Sequence, residues 1–263
     1  EGSAYPELYQ EAAARKTADK AIAILQGRAV GGSTLVNWTT SLRTPEPTLD
    51  HWRQQHGWSM ADAAAMAPWF ADAEARHGVM PWPTPPNPNN AILGRGLAAL
   101  GGQGKVVPRN VSGCWNLGAC GLGCPTNAKQ SALVALLPTV LDRGGRLLSR
   151  VRVDRLRIVG GRVEGVEAQA IGPSGHADAG RRISVRARHV VLAAGSIGSP
   201  AILLRSGAPD PHDRLGRQTC LHPVVMSAAT MPERVSGHAG APQTVYSDHF
   251  LHTQPVEVVQ QVI

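Results

Sequence analysis

The sequence predicts an α/β chain with α+β elements, on three observations. Ala- and Leu-rich helical stretches alternate with loops up to Gly144-Gly145. A strand-patterned block then runs from Leu147 to Val191. That block closes on Ala193-Ala194-Gly195, and a further helix follows.

The elements are expected in this order. Tyr5–Leu25 has a stripe of Leu8, Ala12, Ala18, Ala21 and Leu25 and reads as a helix. A second helix follows Thr48. A third follows Ser59, where Ser59 and Asp62 fit a capping box with an acidic third position. Pro81–Pro88 is proline-rich and extended, and Ala91–Leu100 is a short helix ended by Gly101 and Gly102. Gln130–Arg143 is helical and stops at Gly144 and Gly145. Leu147–Leu156, Val163–Ala170 and Arg181–Val191 are strands, with a turn at Gly160-Gly161 between the first two. Ser199 caps the last helix, with Pro200 at its first position.

Composition excludes several classes. Apolar residues make up 43%, enough for a core, so a disordered chain is excluded. The net charge of +7 is scattered, with small groups at Arg150–Arg157 and Arg181–Arg188 and no interleaved aromatics. That describes a basic solvated surface and not a nucleic-acid site. The longest apolar run, Ser131–Leu141, holds Pro138 and falls short of the roughly 20 residues of a membrane helix. With no signal-peptide pattern either, a soluble protein of unassigned compartment is expected. The chain starts at Glu1, which suggests a processed, trimmed or fragmentary start.

Two motifs carry chemistry. Gly27–Asn37 contains Gly31-Gly32-Ser33-Thr34. Glycines let backbone N–H groups reach a ligand, the hydroxyls beside them can bond it, and Asn37 offers a donor and an acceptor. Alone, such a stretch is equally an ordinary turn. The second motif is Cys114-x5-Cys120-x3-Cys124-Pro125, within a Gly-rich loop over residues 105–130. Thiolates bind soft metals and iron–sulfur clusters, and Gly118, Gly121 and Gly123 leave room for one. Metal-free buried thiols are the other reading. His189 and His222 read as structural.

The string Gly27–Asn37 resembles the first signature of the glucose–methanol–choline oxidoreductases. Gly195–Gly207 resembles the second, and Leu215-Gly216-Arg217 with His222-Pro223 extends it. Ser41 and Ala208-Pro209 depart from the usual pattern at the periphery. The resemblance implies an incomplete FAD-binding domain over 1–263, part of a two-dinucleotide-binding-domain fold with a β-meander and helical insertions. It implies that the strand before Gly195 joins a parallel sheet. Ser33, Asn37, Trp38 and Thr40 match positions that line FAD, Trp38 through its backbone. Gly31 and Gly32 belong to the same loop, Val153 matches a backbone contact to adenine, and Ala194 and Gly195 close the FAD sheet. Gly31–Asn37 and Ala193–Gly195 are then expected to flank one groove.

The cysteine spacing resembles that of bacterial FAD glucose dehydrogenase subunits, which implies a 3Fe-4S cluster on Cys114, Cys120 and Cys124. The implied activity is oxidation of a small-molecule alcohol at its CH–OH group, with hydride passing to flavin and then to an unidentified electron acceptor. The family's Gly-x-Gly-x-x-Gly opening and C-terminal catalytic His have no counterpart here, so no catalytic residue is expected and the chain alone is expected to be inactive. A complementing chain, or a non-catalytic assembly subunit, is the alternative.

Overall fold

The computed structural model describes residues 2–172, 177–217, 219, 220, 224–249 and 251. The elements are α1 (Ala4–Leu8), α2 (Glu46–His56), α3 (Ala63–Arg76), β1 (Val79–Pro81), α4 (Pro88–Ala99), β2 (Lys105–Val106) and β3 (Pro108–Asn110). They continue with α5 (Ala132–Ala135), α6 (Leu137–Asp142), β4 (Val151–Val159), β5 (Arg162–Ile171), β6 (Ala177–Arg186), α7 (Gly195–Arg205) and β7 (Val245–Tyr246). They fall into two compact units, one up to Arg146 with the described residues from Val224 onward, the other from Leu147.

In the first unit, β1 pairs with β3 and β2 with β7, all antiparallel. Trp82, Val111 and Ala241 form a buried cluster against which Cys114 packs. Helix α3 starts because the Asp62 carboxylate accepts from the amides of Ala64 and Ala65, both at 3.0 Å. Asp62 itself is the cap, so the capping box expected at Ser59 is not formed. Helix α4 has Asn87 as its cap and Pro88 at its first position. Asn87 also donates to the carbonyls of Gly237, Ala239 and Ala241, at 3.0–3.4 Å. Asn90, one turn on, accepts from the Thr244 and Val245 amides and donates to the Pro242 carbonyl at 3.0 Å. Two asparagines thus fix the segment 237–245.

The long helix expected over Tyr5–Leu25 is overturned. Helix α1 ends at Leu8, and Tyr9 bridges back to Gly27 while Lys16 bridges to Ala23. Between them the Asp19 carboxylate accepts from the Thr17 hydroxyl and the Ala21 amide and closes a turn. The stripe that suggested a helix was mostly alanine, whose burial contributes too little to resist this turn. The helix expected over Gln130–Arg143 is two short ones, α5 and α6, separated at Leu136.

The second unit is an antiparallel meander, in the order β4-β5-β6. Gly160 (φ 55°) and Gly161 (φ 76°) make the expected tight turn between β4 and β5. The third strand is β6, which ends at Arg186 rather than reaching Val191. Helix α7 begins at Gly195, earlier than expected. Ser199 is therefore inside it, and its hydroxyl reaches back to accept from the Ala194 amide at 3.0 Å. Ser206 joins helix to sheet by accepting from the Leu156 amide at 2.8 Å. No parallel strand pair occurs among the described residues. Among them also, no helix is long and apolar enough to cross a membrane.

Candidate functional site

The Gly27–Asn37 loop is built from its own small side chains. Gly31 adopts φ 95°, a left-handed conformation, and leads into a single 3-10 turn over Gly32–Leu35. The Ser33 hydroxyl accepts from the Gly27 amide at 2.9 Å. The Thr34 hydroxyl donates to the Gly31 carbonyl and accepts from the Ala132 amide at 3.0 Å, where α5 begins. A Cβ on Gly27 would lie 2.8 Å from the Gly32 oxygen and from Ser33 backbone atoms. Ser33 and Thr34 thus hold the loop in shape.

Beneath the loop lies Lys129, only 2% exposed. Its ammonium donates to the carbonyls of Asn37 (2.6 Å), Cys120 (2.6 Å) and Leu35 (2.8 Å). Burial pulls its pKa below the usual lysine value, opposed by the nearby thiols of Cys120 and Cys124. This cross-link ties the glycine loop to the cysteine loop. The Tyr9 hydroxyl adds a second tie, to the Gly121 carbonyl at 2.6 Å. The Trp38 ring, 43% exposed, lies against Gly121.

Asn37, Trp38 and Thr40 are exposed, and Gly31 and Gly32 are half-buried. Thr34, Asn37 and Thr40 line an open cleft of about 280 Å³ with Arg43, Glu74 and His77. Arg43 grips Glu74 through two bonds of 2.7 and 2.6 Å, which lower the carboxyl's pKa. His77 Nδ1 is 3.0 Å from the Gln130 carbonyl. A carbonyl only accepts, so Nδ1 carries the hydrogen there. Sequence reading missed Lys129 and His77, because neither stands in a recognisable motif.

The three loop cysteines line a second, smaller cavity of about 30 Å³, with Lys129 and Trp115. Cys120 Sγ accepts from Arg109 Nη2 at 3.3 Å, Cys124 Sγ from the Lys129 amide at 3.3 Å, and Cys114 Sγ from the Asn116 amide at 3.4 Å. Among the described residues, no group of three His, Cys, Asp or Glu side chains is placed to hold a metal ion.

The other matched positions belong to the second unit. Val153 is half-buried in β4 opposite Ala168, beside a register shift at Asp154. Ala194 and Gly195 (φ 77°) open α7, whose start has no side-chain cap. They lie in a different unit from Gly31–Asn37. His222 and Pro223 lie outside the described residues.

The sequence matches the family described as GMC oxidoreductase over residues 5–224. The chain belongs to that family. A GMC-type oxidoreductase of Mycobacterium tuberculosis is 34% identical over 248 residues, covering 94% of this chain and 38% of that protein. A long-chain-alcohol oxidase of Arabidopsis thaliana is 30% identical over 252 residues, 89% of this chain and 32% of that protein. The chain thus spans about a third to two fifths of the length of these GMC relatives. An FAD-dependent oxidoreductase from Chaetomium thermophilum superposes with a TM-score of 0.53 at 17% identity, over 71% of this chain and 35% of that one, a likeness of fold.

Proposed function

We propose that this chain carries the cofactor-loop portion of an FAD-dependent GMC oxidoreductase that oxidises CH–OH groups. The observation that carries the reading is the glycine loop, whose small side chains brace it internally while Asn37, Trp38 and Thr40 stay exposed. FAD, when bound, accepts the hydride from the alcohol carbon. The loop fits such a group. Its glycines remove side chains from the backbone, and the Asn37 and Thr40 side chains offer polar contacts to a ring edge beside an open cleft. Ser33 acts by holding the loop, and Trp38 offers backbone. In the second unit, Ala194 and Gly195 open α7, whose positive N-terminal end favours an anion such as a pyrophosphate, while the Ala194 amide itself is bonded to the Ser199 hydroxyl. Val153 contributes backbone toward adenine. The donor is an alcohol, in keeping with the alcohol oxidases among the relatives.

The run Val190–Ala193 supports a further part of this reading. Val191 is 89% exposed, and the run forms no strand among the described residues. It is fit to add to a sheet supplied by further chain or by a complementing chain. The domain boundaries 1–263 are proposed on the same ground, as a portion of the family's FAD-binding domain. In this reading Cys114, Cys120 and Cys124 are not assigned a cluster.

Flavin titration tests the proposal. Quenching of FAD fluorescence by the 263-residue chain should saturate, and Asn37→Leu and Thr40→Val should each weaken binding by about tenfold. Unchanged binding in both variants would remove the loop from the cofactor site.

A further inference from the structure

Arg109 is 0% exposed. Its guanidinium donates to the Gln243 carbonyl at 2.7 Å and to Cys120 Sγ at 3.3 Å, and stands 4.9 Å from the centre of the Trp82 ring. Its Nε has no partner, and no carboxylate pairs with it among the described residues. A buried cation without a counter-charge is costly. The side-chain acceptor that the guanidinium meets is the Cys120 sulfur. A second buried cation, Lys129, is bonded to the Cys120 carbonyl. Its own amide donates to Cys124 Sγ.

Cys120 and Cys124 also share a cavity of about 30 Å³, enough for one or two waters. That is the size class of a hydroperoxide. Both residues are half-buried. Cys120 opens a 3-10 turn that ends at Leu122, and Gly123 (φ 95°) and Cys124 (φ 52°) follow it in left-handed conformations.

We propose that Cys120 and Cys124 form a hydroperoxide-reactive dithiol, with Cys120 as the attacking sulfur, stabilised by Arg109, and Cys124 as the resolving one. The Cys120 sulfur attacks hydrogen peroxide. An S–O bond forms, the O–O bond breaks, and one water leaves with the thiol proton. The Cys124 sulfur then attacks the Cys120 sulfur. An S–S bond forms, the S–O bond breaks, and a second water leaves with the second proton. Two thiols lose two electrons and one peroxide becomes two waters. Because Lys129 joins the Cys120 carbonyl to those of Leu35 and Asn37, the oxidation acts on the turn that holds the glycine loop. The inference does not depend on flavin binding.

The test uses the full chain, reduced, without added flavin. It is treated with a small excess of hydrogen peroxide, then unfolded and alkylated with N-ethylmaleimide, and its intact mass counts the remaining thiols. All four cysteines should be alkylated before treatment. Two should be lost after it and recovered with dithiothreitol, and fragmentation of the oxidised chain should link Cys120 to Cys124. In Cys124→Ser, dimedone should trap Cys120 as its sulfenic acid. In Cys120→Ser, peroxide consumption should fall by about tenfold or more. Four alkylated thiols after peroxide would overturn the proposal. So would a link through Cys114, or dimedone labelling of the exposed Cys220 ahead of Cys120. The wild-type measurement stands by itself if either variant fails to fold.

Discussion

The Lys129 ammonium donates to the backbone carbonyl of Asn37 at 2.6 Å, and two more of its bonds reach Leu35 and Cys120. One buried side chain thus serves three carbonyls from two loops, the full donor capacity of an ammonium. Lys129→Met keeps the apolar stem but strips all three carbonyls of their donor. Each charge-assisted bond of this kind contributes about 1.5–3 kcal/mol, and removing the buried charge offsets part of the loss. A net destabilisation of about 3 kcal/mol is expected, seen as a lower urea midpoint with an unchanged slope. A change below about 0.5 kcal/mol would mean that water replaces the ammonium.

The same lysine sets a pH dependence. Its folded pKa is lowered by burial from the ordinary 10.5. Between the lowered value and 10.5 the unfolded chain binds the proton more tightly than the folded one. Stability therefore rises with pH in that alkaline window through this group, and the charged-state penalty is fully present below it. The expected measurement is a difference, wild type minus Lys129→Met, in unfolding free energy between neutral and alkaline pH. That difference should grow with pH; a flat or falling difference would contradict the direction of the shift.

Much of the frame was legible because it rests on local chemistry. Gly160-Gly161 announces a tight turn and Gly101-Gly102 a helix end, since each needs only its own backbone, whereas the start of α4 at Asn87-Pro88 fell within a run read as extended. The failures share a different cause. The stripe from Leu8 to Leu25 has helical spacing, but the Thr17–Asp19 turn and the Tyr9–Gly27 bridge depend on contacts that periodicity does not encode. Val190 and Val191 look like a strand, yet a strand exists only with a partner. Arg109 and Lys129 were invisible among 26 basic residues, because burial is a tertiary property.

Asn90 gives a third prediction. Its side chain bonds Asn87, the Pro242 carbonyl and the amides of Thr244 and Val245. Asn90→Leu is close in volume but leaves those backbone groups unpaired next to the Thr244 hydroxyl, which is buried and already lacks a partner. A loss of about 2–4 kcal/mol is expected. Faster amide exchange should be confined to Thr244–Tyr246 and its partner strand β2. Uniform exchange across the unit would show that the bonds do not act locally.

The glycine loop supplies the last prediction, because two neighbouring glycines are required for different reasons. A Cβ at Gly27 would fall 2.8 Å from the Gly32 oxygen and from the Ser33 amide and Cα. Backbone on both sides cannot yield, so Gly27→Ala must open the loop and break the Gly27–Ser33 bond of 2.9 Å. Gly32, by contrast, has nothing within 4 Å of such a Cβ, and only its φ of 58° resists a side chain. Gly32→Ala should therefore cost about 1 kcal/mol, the left-handed penalty alone. Gly27→Ala should cost about 2–4 kcal/mol by combining overpacking with a lost hydrogen bond. Thermal unfolding of the two variants separates the cases. If the loop holds FAD, flavin affinity should follow the same order, falling by about tenfold or more for Gly27→Ala and little for Gly32→Ala. Equal losses of stability in the two variants would show that the loop relaxes around an added methyl, and that its shape is not fixed by the close approach at Gly27.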